Sequence, residues 1–170
     1  MMMKDAYGAL ESSEAFKSFS KRRQGCYLTH AFATIEEGQE KGAVWQFGFF
    51  DRKADRMSVF DVGAEIKEHD PQEVYKHPDH EILHLAMDEV KFTFPKAMEA
   101  VKAAMKDKYK GELANKYIVI LQNIPEHGTV WNITVLSTSF HVINFKIDAG
   151  SGEIKAESRE SLTTWNNSAE

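Results

Sequence analysis

The chain has 170 residues, of which 42% are apolar, so it can bury a hydrophobic core in one ordinary domain or in two small ones. Its 26 acidic and 21 basic residues give a formal charge of -5, which provides no electrostatic footprint for nucleic acid or for an anionic membrane. The first ten residues lack a secretory pattern and no apolar run is long enough to cross a bilayer, so the sequence predicts a cytoplasmic protein.

The first third of the chain is predicted to form a helix followed by three strands. Ser12 and Ser13 are candidate N-caps for a helix that extends to Gln24, and Gly25 supplies its end. Aromatic and β-branched residues then alternate with polar turns. The expected strands are residues 26–35, 44–50 and 57–62.

The middle of the chain, residues 64–91, is acidic and contains four of the seven histidines. Asp70 followed by Pro71 has the cap and first-turn proline that start a helix, and Asp79 can cap a second helix that runs to about Val90. We therefore expect a helical linker here.

The second half repeats the order of the first. Thr93 can cap a helix with Pro95 in its first turn, and Gly111 follows its apolar stripe. Three strands are expected next: residues 117–122, 130–136 and 140–147. After Ile154 the sequence becomes polar, and its last residues are expected to fray.

Four residues recur at a constant spacing, which indicates an internal duplication. The first set is Gly25, Gly42, Val44 and Trp45, and the second is Gly111, Gly128, Val130 and Trp131. Every member is displaced by 86 positions. The repeated tryptophan is interpreted as a core anchor beneath the helix, with a platform for a ligand as the alternative.

The closing strand and its turn resemble the PepSY family, a small domain found in the propeptides of secreted metallopeptidases. The residues that carry this resemblance are Asp148-Ala149-Gly150-Ser151-Gly152-Glu153-Ile154, preceded by Phe145-Lys146-Ile147. Asp148 and Ser151 can accept hydrogen bonds from nearby amides, and Gly152 allows positive φ where the chain reverses. Residues 131–135 are similar to the family's middle strand.

The resemblance implies an α+β fold of two cystatin-like, PepSY-like repeats. Each would be a helix packed on a three-stranded antiparallel sheet, and a helical linker would join them. The expected units are residues 1–66, a linker over 67–92, a second unit over 93–158 and a polar tail over 159–170. The family brings no catalytic residues and no cofactor, and its implied role is to bind or restrain a protein partner.

One motif suggests chemistry of another kind. His80-Glu81-Ile82-Leu83-His84 matches the His-Glu-x-x-His pattern in which two histidines one helical turn apart bind zinc and the glutamate activates water. A third ligand would have to come from His77 or Glu99 through the fold. The alternatives are a structural or adventitious metal at His80 and His84, or a solvated helix with no metal.

These observations favour a non-enzymatic binding or regulatory module that recognises a protein, a peptide or a small ligand through its sheet. A zinc-dependent hydrolase built on His80, Glu81 and His84 is the alternative, and an apolar cavity lined by Trp45, Phe47 and Phe49 is a third hypothesis. A homodimer formed through a sheet edge is also considered. Cys26 is the only cysteine, so no internal disulfide forms, and it is expected to be a buried or edge thiol.

Overall fold

The structure is a computed structural model, and it describes residues 1–74 and 81–162. Three α-helices occur in these ranges: α1 Met3–Ser12, α2 Glu14–Arg22 and α3 Phe94–Lys108. Short 3-10 turns lie at Glu40–Gly42 and Met87–Glu89. The strands before α3 are β1 Tyr27–Glu36, β2 Trp45–Asp51, β3 Arg56–Val62, β4 Ile66–Glu68 and β5 Gln72–Glu73. Those after it are β6 Ala114–Ile124, β7 Gly128–Ser137, β8 His141–Asp148 and β9 Ile154–Ser161.

All nine strands belong to one antiparallel sheet. Its order is β4-β3-β2-β1-β6-β7-β8-β9, and β5 pairs with β3 beside β4. The strands on either side of the centre are therefore joined mostly by hairpins, while β1 and β6 bring the two halves of the chain together.

The three helices cover one face of this sheet. Strand residues alternate between buried and half-buried positions, so every second side chain enters the core beneath the helices. On α2, Phe19 packs against the rings of Phe49 and Phe60 at centroid distances of 5.7 and 5.1 Å. On α3, Phe94 meets the ring of Trp45 at 5.1 Å. One continuous core thus spans both halves of the chain.

The prediction of two separate three-stranded repeats is wrong, because β1 and β6 pair directly. Their register runs from His30 opposite Gln122 to Glu36 opposite Lys116. Each half would otherwise expose a strand edge with unpaired backbone groups, and the central pairing satisfies both edges at once. The fold is α+β, with one sheet in place of two.

The predicted helical linker is also wrong in the residues that the structure describes. Gln72–Glu73 is a short strand that pairs with β3 at Arg56 and Met57. Residues 81–86 contain no helix, and only the 3-10 turn Met87–Glu89 follows them. Backbone hydrogen bonds to the sheet hold both segments in extended form, which overrides their local helix signals. Asp79 lies outside the described residues.

The first half has two helices where the sequence predicts one. Ser13 does cap a helix, since its side chain accepts a hydrogen bond from Phe16 N at 3.1 Å, but α2 ends at Arg22. An additional helix, α1, precedes it and buries Met3, Ala6 and Leu10. No helix within residues 1–74 and 81–162 has the length and apolar character needed to cross a membrane.

Candidate functional site

The face of the sheet opposite the helices, termed the open face, carries half-buried side chains of mixed polarity. Apolar residues lie near its centre on β1 and β6, including Phe32, Ile118 and Ile120. Polar residues continue on β7 and β8. There Asn144 Nδ2 donates to Asn132 Oδ1 at 2.7 Å, and Lys146 Nζ donates to Asn144 Oδ1 at 3.1 Å.

A bulge in β1 places His30 at one end of the open face. Leu28 pairs with Phe49 and His30 pairs with Gly48, so Thr29 is the extra residue in β1. The imidazole lies across Gly48 on the neighbouring strand, where a Cβ atom would come within 2.1 Å of His30 Cε1. The ring can occupy this position only because residue 48 has no side chain.

The hydroxyl of Thr29 fixes the tautomer of the imidazole. Thr29 Oγ1 lies 2.8 Å from His30 Nδ1 and donates to Gly48 O at 3.1 Å. A hydroxyl has one proton. With that proton directed to Gly48 O, which can only accept, Nδ1 carries the hydrogen that is shared with Thr29. His30 Nε2 then holds a lone pair, and no described residue donates a hydrogen bond to it.

Burial keeps this ring neutral. The removal of water from around His30 lowers the pKa of its imidazole below the ordinary value, because the charged form loses more solvation than the neutral form. At neutral pH the ring therefore presents Nε2 as a hydrogen-bond acceptor.

Residues 81–85, called the strap, lie beside the start of β1 where β6 no longer pairs with it. Leu85 N donates to Leu28 O at 2.8 Å, and Tyr27 Oη donates to Ile82 O at 2.7 Å. Asn123 Nδ2, near the end of β6, donates to His84 O at 3.1 Å. The strap is thus fastened to both central strands.

A cavity of about 560 Å³ lies between the strap and the His30 end of the open face. Its polar lining comprises Thr29, His30, Glu81, Gln122, Asn123 and Glu126. Its apolar lining comprises Met57, Ile82, Leu83 and Ile124 together with Pro125. This volume lies within the range of small-molecule sites, and a mainly apolar wall with a few converging polar groups is typical of them.

A second cavity, of about 460 Å³, lies on the other side of the strap. It shares Ile82 and Leu83 with the first one, but its wall includes Arg52 and Lys53. Arg52 stacks near the ring of Tyr27, with its guanidinium carbon 5.8 Å from the ring centroid. The strap therefore separates a cation-bearing cavity from one that has no Lys or Arg among its described lining residues.

The predicted metal ligands are only partly within the described residues. His77 and His80 lie outside them. His84 is exposed in the extended strap, and its ring packs edge-on against Tyr27 at 6.1 Å. Glu81 pairs with Arg52 at 3.4 Å. Glu81 and His84 therefore do not share a helix, which the zinc motif requires. Among the described residues, no three His, Cys, Asp or Glu side chains form a group that could hold a metal.

The repeated tryptophans are core residues. Trp45 and Trp131 are both 0% exposed, and their rings meet at 6.4 Å in a T-shaped arrangement. Trp45 Nε1 donates to Met1 O at 3.1 Å and Trp131 Nε1 donates to Phe92 O at 2.8 Å. This confirms the interpretation as core anchors. Phe47 and Phe49 are buried as well and line neither of the two cavities beside the strap.

Cys26 is half-buried between α2 and β1. Burial raises the pKa of its thiol, and the charge of Asp51 adds to the shift. A raised pKa leaves little thiolate at neutral pH, so this thiol is a weak nucleophile.

The sequence alone does not single out His30, although Gly48 in β2 indicates that another group lies close to that strand. Gly48 interrupts an aromatic run in β2, and a glycine inside a strand often marks a bulge or a close approach of another group. The cross-strand partner that approaches it could not be identified without the register.

No family model matches the sequence, and neither does any curated protein. Among solved structures, the fold is similar to that of a "putative lipoprotein" from Clostridium difficile 630, with a TM-score of 0.51. The two chains share 12% sequence identity, and the similarity covers 86% of this chain and 91% of the other. At this identity, the likeness concerns the fold alone.

Proposed function

We propose that the protein is a non-enzymatic binding module that takes up a small ligand or a short peptide segment at the His30 end of its open face. The observation that carries this proposal is the cavity of about 560 Å³ that contains a neutral imidazole with an unshared lone pair. A ligand that donates a hydrogen bond to this acceptor would displace water from it and would bond in a partly desolvated place.

The surrounding surface supports binding more than covalent chemistry. The described lining includes no Ser or Cys beside His30; its one hydroxyl, that of Thr29, already donates to Gly48 O. The apolar residues Phe32, Ile118 and Ile120 continue the surface along the sheet. A ligand that enters beside His30 can therefore extend over a half-buried apolar surface, from which it gains free energy by excluding water.

A fragment screen observed by NMR tests this function. Fragments that bind should shift the backbone amides of Gln122 and Leu83, and should leave the amides of α3 unchanged. A Gln122→Arg variant should abolish these shifts, because a long side chain would then fill the cavity.

Thr34→Arg is the matched control for this screen. Thr34 is exposed at the other end of β1, so the same new side chain is placed outside the cavity. Fragment binding should persist in this variant. Fragments whose shifts map elsewhere, or that bind Gln122→Arg and the parent equally, would rule out the proposed site.

We also propose that the two halves descend from one duplicated unit and that this unit is related to the PepSY family. Gly25 and Gly111 each follow a helix with φ of +92°. Trp45 and Trp131 are buried on β2 and β7, the second strand after the helix in each half. Four strands follow α3, and five follow α2 because the first half adds the short β5. If this origin is right, a search that starts from the aligned sequences of one half in distant homologues should find the other half.

A cytoplasmic location and a homodimer through an outer strand are further proposals. The lipoprotein description of the structural neighbour makes membrane attachment the competing location. Cell fractionation distinguishes the two locations. Analytical ultracentrifugation measures the oligomeric state directly.

A further inference from the structure

The His30 cavity has an unusual balance of polar groups. Its described lining presents the carboxylates of Glu81 and Glu126 and the side-chain oxygens of Gln122 and Asn123. His30 adds a fifth acceptor through Nε2. No Lys or Arg is among these lining residues, the Asn123 amide nitrogen already donates to His84 O, and the Gln122 amide adds a neutral donor. The cavity is therefore rich in acceptors and negative in charge.

The neighbouring cations do not neutralise this charge strongly. Arg52 reaches Glu81 at 3.4 Å, but both side chains are more than two-thirds exposed, at 67% and 74%. Exposed pairs of this kind contribute little, so Glu81 can turn from Arg52 to a ligand at small cost. Glu126, in the turn between β6 and β7, has no ion pair with any described residue.

We propose that the ligand is an organic ammonium ion whose apolar part lies against Met57, Ile82 and Leu83. An ammonium group has three N–H donors and no acceptor, so it can donate to three of these acceptors without leaving one of its own groups unpaired. A carboxylate or phosphate in the same place would face two carboxylates, with no Lys or Arg among the described lining residues. This inference rests on the proposed binding function and adds to it the chemical class of the ligand.

Three probes of matched shape test the class of ligand. The full-length protein is titrated at neutral pH with 2-phenylethylammonium, with 2-phenylethanol and with phenylacetate, while the His30 ring and the Leu83 methyl groups are observed by NMR. We expect saturable shifts with the ammonium, an affinity for the alcohol that is lower by about tenfold or more, and no saturable shifts with phenylacetate.

Two variants make the test specific to the cavity. Glu126→Gln removes one carboxylate from the lining and should weaken binding of 2-phenylethylammonium several-fold, about three- to tenfold. Glu153→Gln is the control, because Glu153 is exposed in the turn between β8 and β9 and its partner is Lys155. Binding to that variant should equal binding to the parent.

The outcomes separate this inference from the proposed function. If the alcohol or phenylacetate binds as tightly as the ammonium in the cavity, the ammonium assignment is wrong while the binding function stands. If no probe shifts His30 or Leu83, the ammonium assignment is also wrong. The fragment screen with Gln122→Arg then decides independently whether the cavity binds any other class.

Discussion

At the β1 bulge, the missing side chain of Gly48 determines the position of the His30 ring. The imidazole fills the space above the glycine, and Thr29, held by its own bond to Gly48 O, sets the proton on Nδ1. The orientation of the acceptor atom therefore depends on three residues of two neighbouring strands. A change at any of them should alter the site while it leaves the helix-covered face intact.

Gly48→Ala is expected to displace the His30 ring, because the new methyl group would lie 2.1 Å from Cε1. We expect a loss of about 1–3 kcal/mol in the free energy of unfolding, which is typical when a methyl group is added at a closely packed position. Urea denaturation measures this loss, and the chemical shifts of the His30 ring report its displacement.

Gly8→Ala is the control for that variant. Gly8 is exposed inside α1, and an added Cβ meets no atom within 4 Å. Alanine should therefore stabilise the helix by up to about 1 kcal/mol and leave His30 unchanged. If Gly48→Ala proves as stable as the parent with an unshifted His30 ring, the close approach described above is wrong.

Glu112 is the acidic residue at the other end of the sheet whose ionisation should matter most for stability. A hydrogen bond from Ser139 is the first cause that lowers its pKa, and the charge of His141 and a hydrogen bond from Arg159 act in the same direction. Arg159 Nη2 lies 2.5 Å and His141 Nδ1 lies 2.9 Å from Glu112 Oε1. Together, Ser139, His141 and Arg159 hold the pKa of Glu112 at about 2, against an ordinary value of 4.5.

The sign of the resulting pH dependence follows from this shift. A carboxyl whose folded pKa is depressed stabilises the protein above its unfolded pKa and loses that contribution as the pH falls towards the folded value. Glu112→Gln should thus be less stable than the parent at neutral pH, and the gap should shrink below about pH 4.5. Urea midpoints measured between neutral and acid pH test this prediction.

Glu99→Gln is the control variant for the stability measurements at acid pH. Glu99 is exposed on α3 and has no ion pair with any described residue. Its variant should follow the parent at every pH. A gap between Glu112→Gln and the parent that stays constant down to acid pH would contradict the assigned cause.

At the scale of elements, the strap is the part of the site with the fewest restraints. Leu85 N and Tyr27 Oη fasten it to β1, and Asn123 fastens it to β6. Side-chain hydrogen bonds hold it at two of these three points. Loss of one should therefore increase the local opening of the strap without unfolding the sheet.

Tyr27→Phe removes the hydrogen bond to Ile82 O and keeps the ring contacts with Phe50 and His84. We expect a cost of about 1 kcal/mol, confined to the strap. The amide of Leu85 should then exchange with solvent about fivefold faster or more, which hydrogen exchange observed by NMR can measure.

Tyr109→Phe provides the matched change elsewhere. Its hydroxyl bonds Glu157 at 2.5 Å between α3 and β9, far along the sheet from the strap. Exchange at Leu85 should stay as in the parent in this variant. Equal exchange at Leu85 in the parent and in Tyr27→Phe would show that the Tyr27 bond does not fasten the strap.

Elements with a strong local pattern could be predicted from the sequence, and elements that depend on a distant partner could not. Residues 130–136 alternate between apolar and polar side chains, and β7 lies there as expected. The outer strand β9 is mostly polar, and half of its residues are charged, which suits an exposed edge but hides the alternation. The strap has helix-forming residues, yet its hydrogen bonds go to β1 and β6.

The binding site also depends on distant partners, so the sequence alone does not predict it. The sequence does not single out His30, because its burial comes from Gly48 on another strand and from a strap that is distant in sequence. Gly152, in contrast, has φ of +82°, as its turn sequence predicts. Local backbone geometry is encoded locally, whereas the cavity exists only after four segments assemble: β1, β3, the strap and the end of β6.

At the scale of the whole molecule, the central β1–β6 pairing makes the two halves one cooperative structure. The Trp45 and Trp131 rings meet within the shared core, and Phe94 contacts both of them at 5.1 and 5.8 Å. Neither half retains a complete core if the other one unfolds. We therefore expect one unfolding transition for the described fold.

Two single-tryptophan proteins test this cooperativity, in a background where Trp165, which lies outside the described residues, is replaced by Phe. Trp45→Phe leaves Trp131 as the reporter of the second half, and Trp131→Phe leaves Trp45 as the reporter of the first. Each substitution should cost on the order of 2 kcal/mol, through lost volume and a lost indole hydrogen bond. Within each protein, however, the fluorescence and circular dichroism transitions in urea should coincide, because the reporter half cannot unfold without the rest of the sheet. A fluorescence midpoint separated from the circular dichroism midpoint in either protein would mean that the halves unfold independently and that the β1–β6 pairing does not couple them.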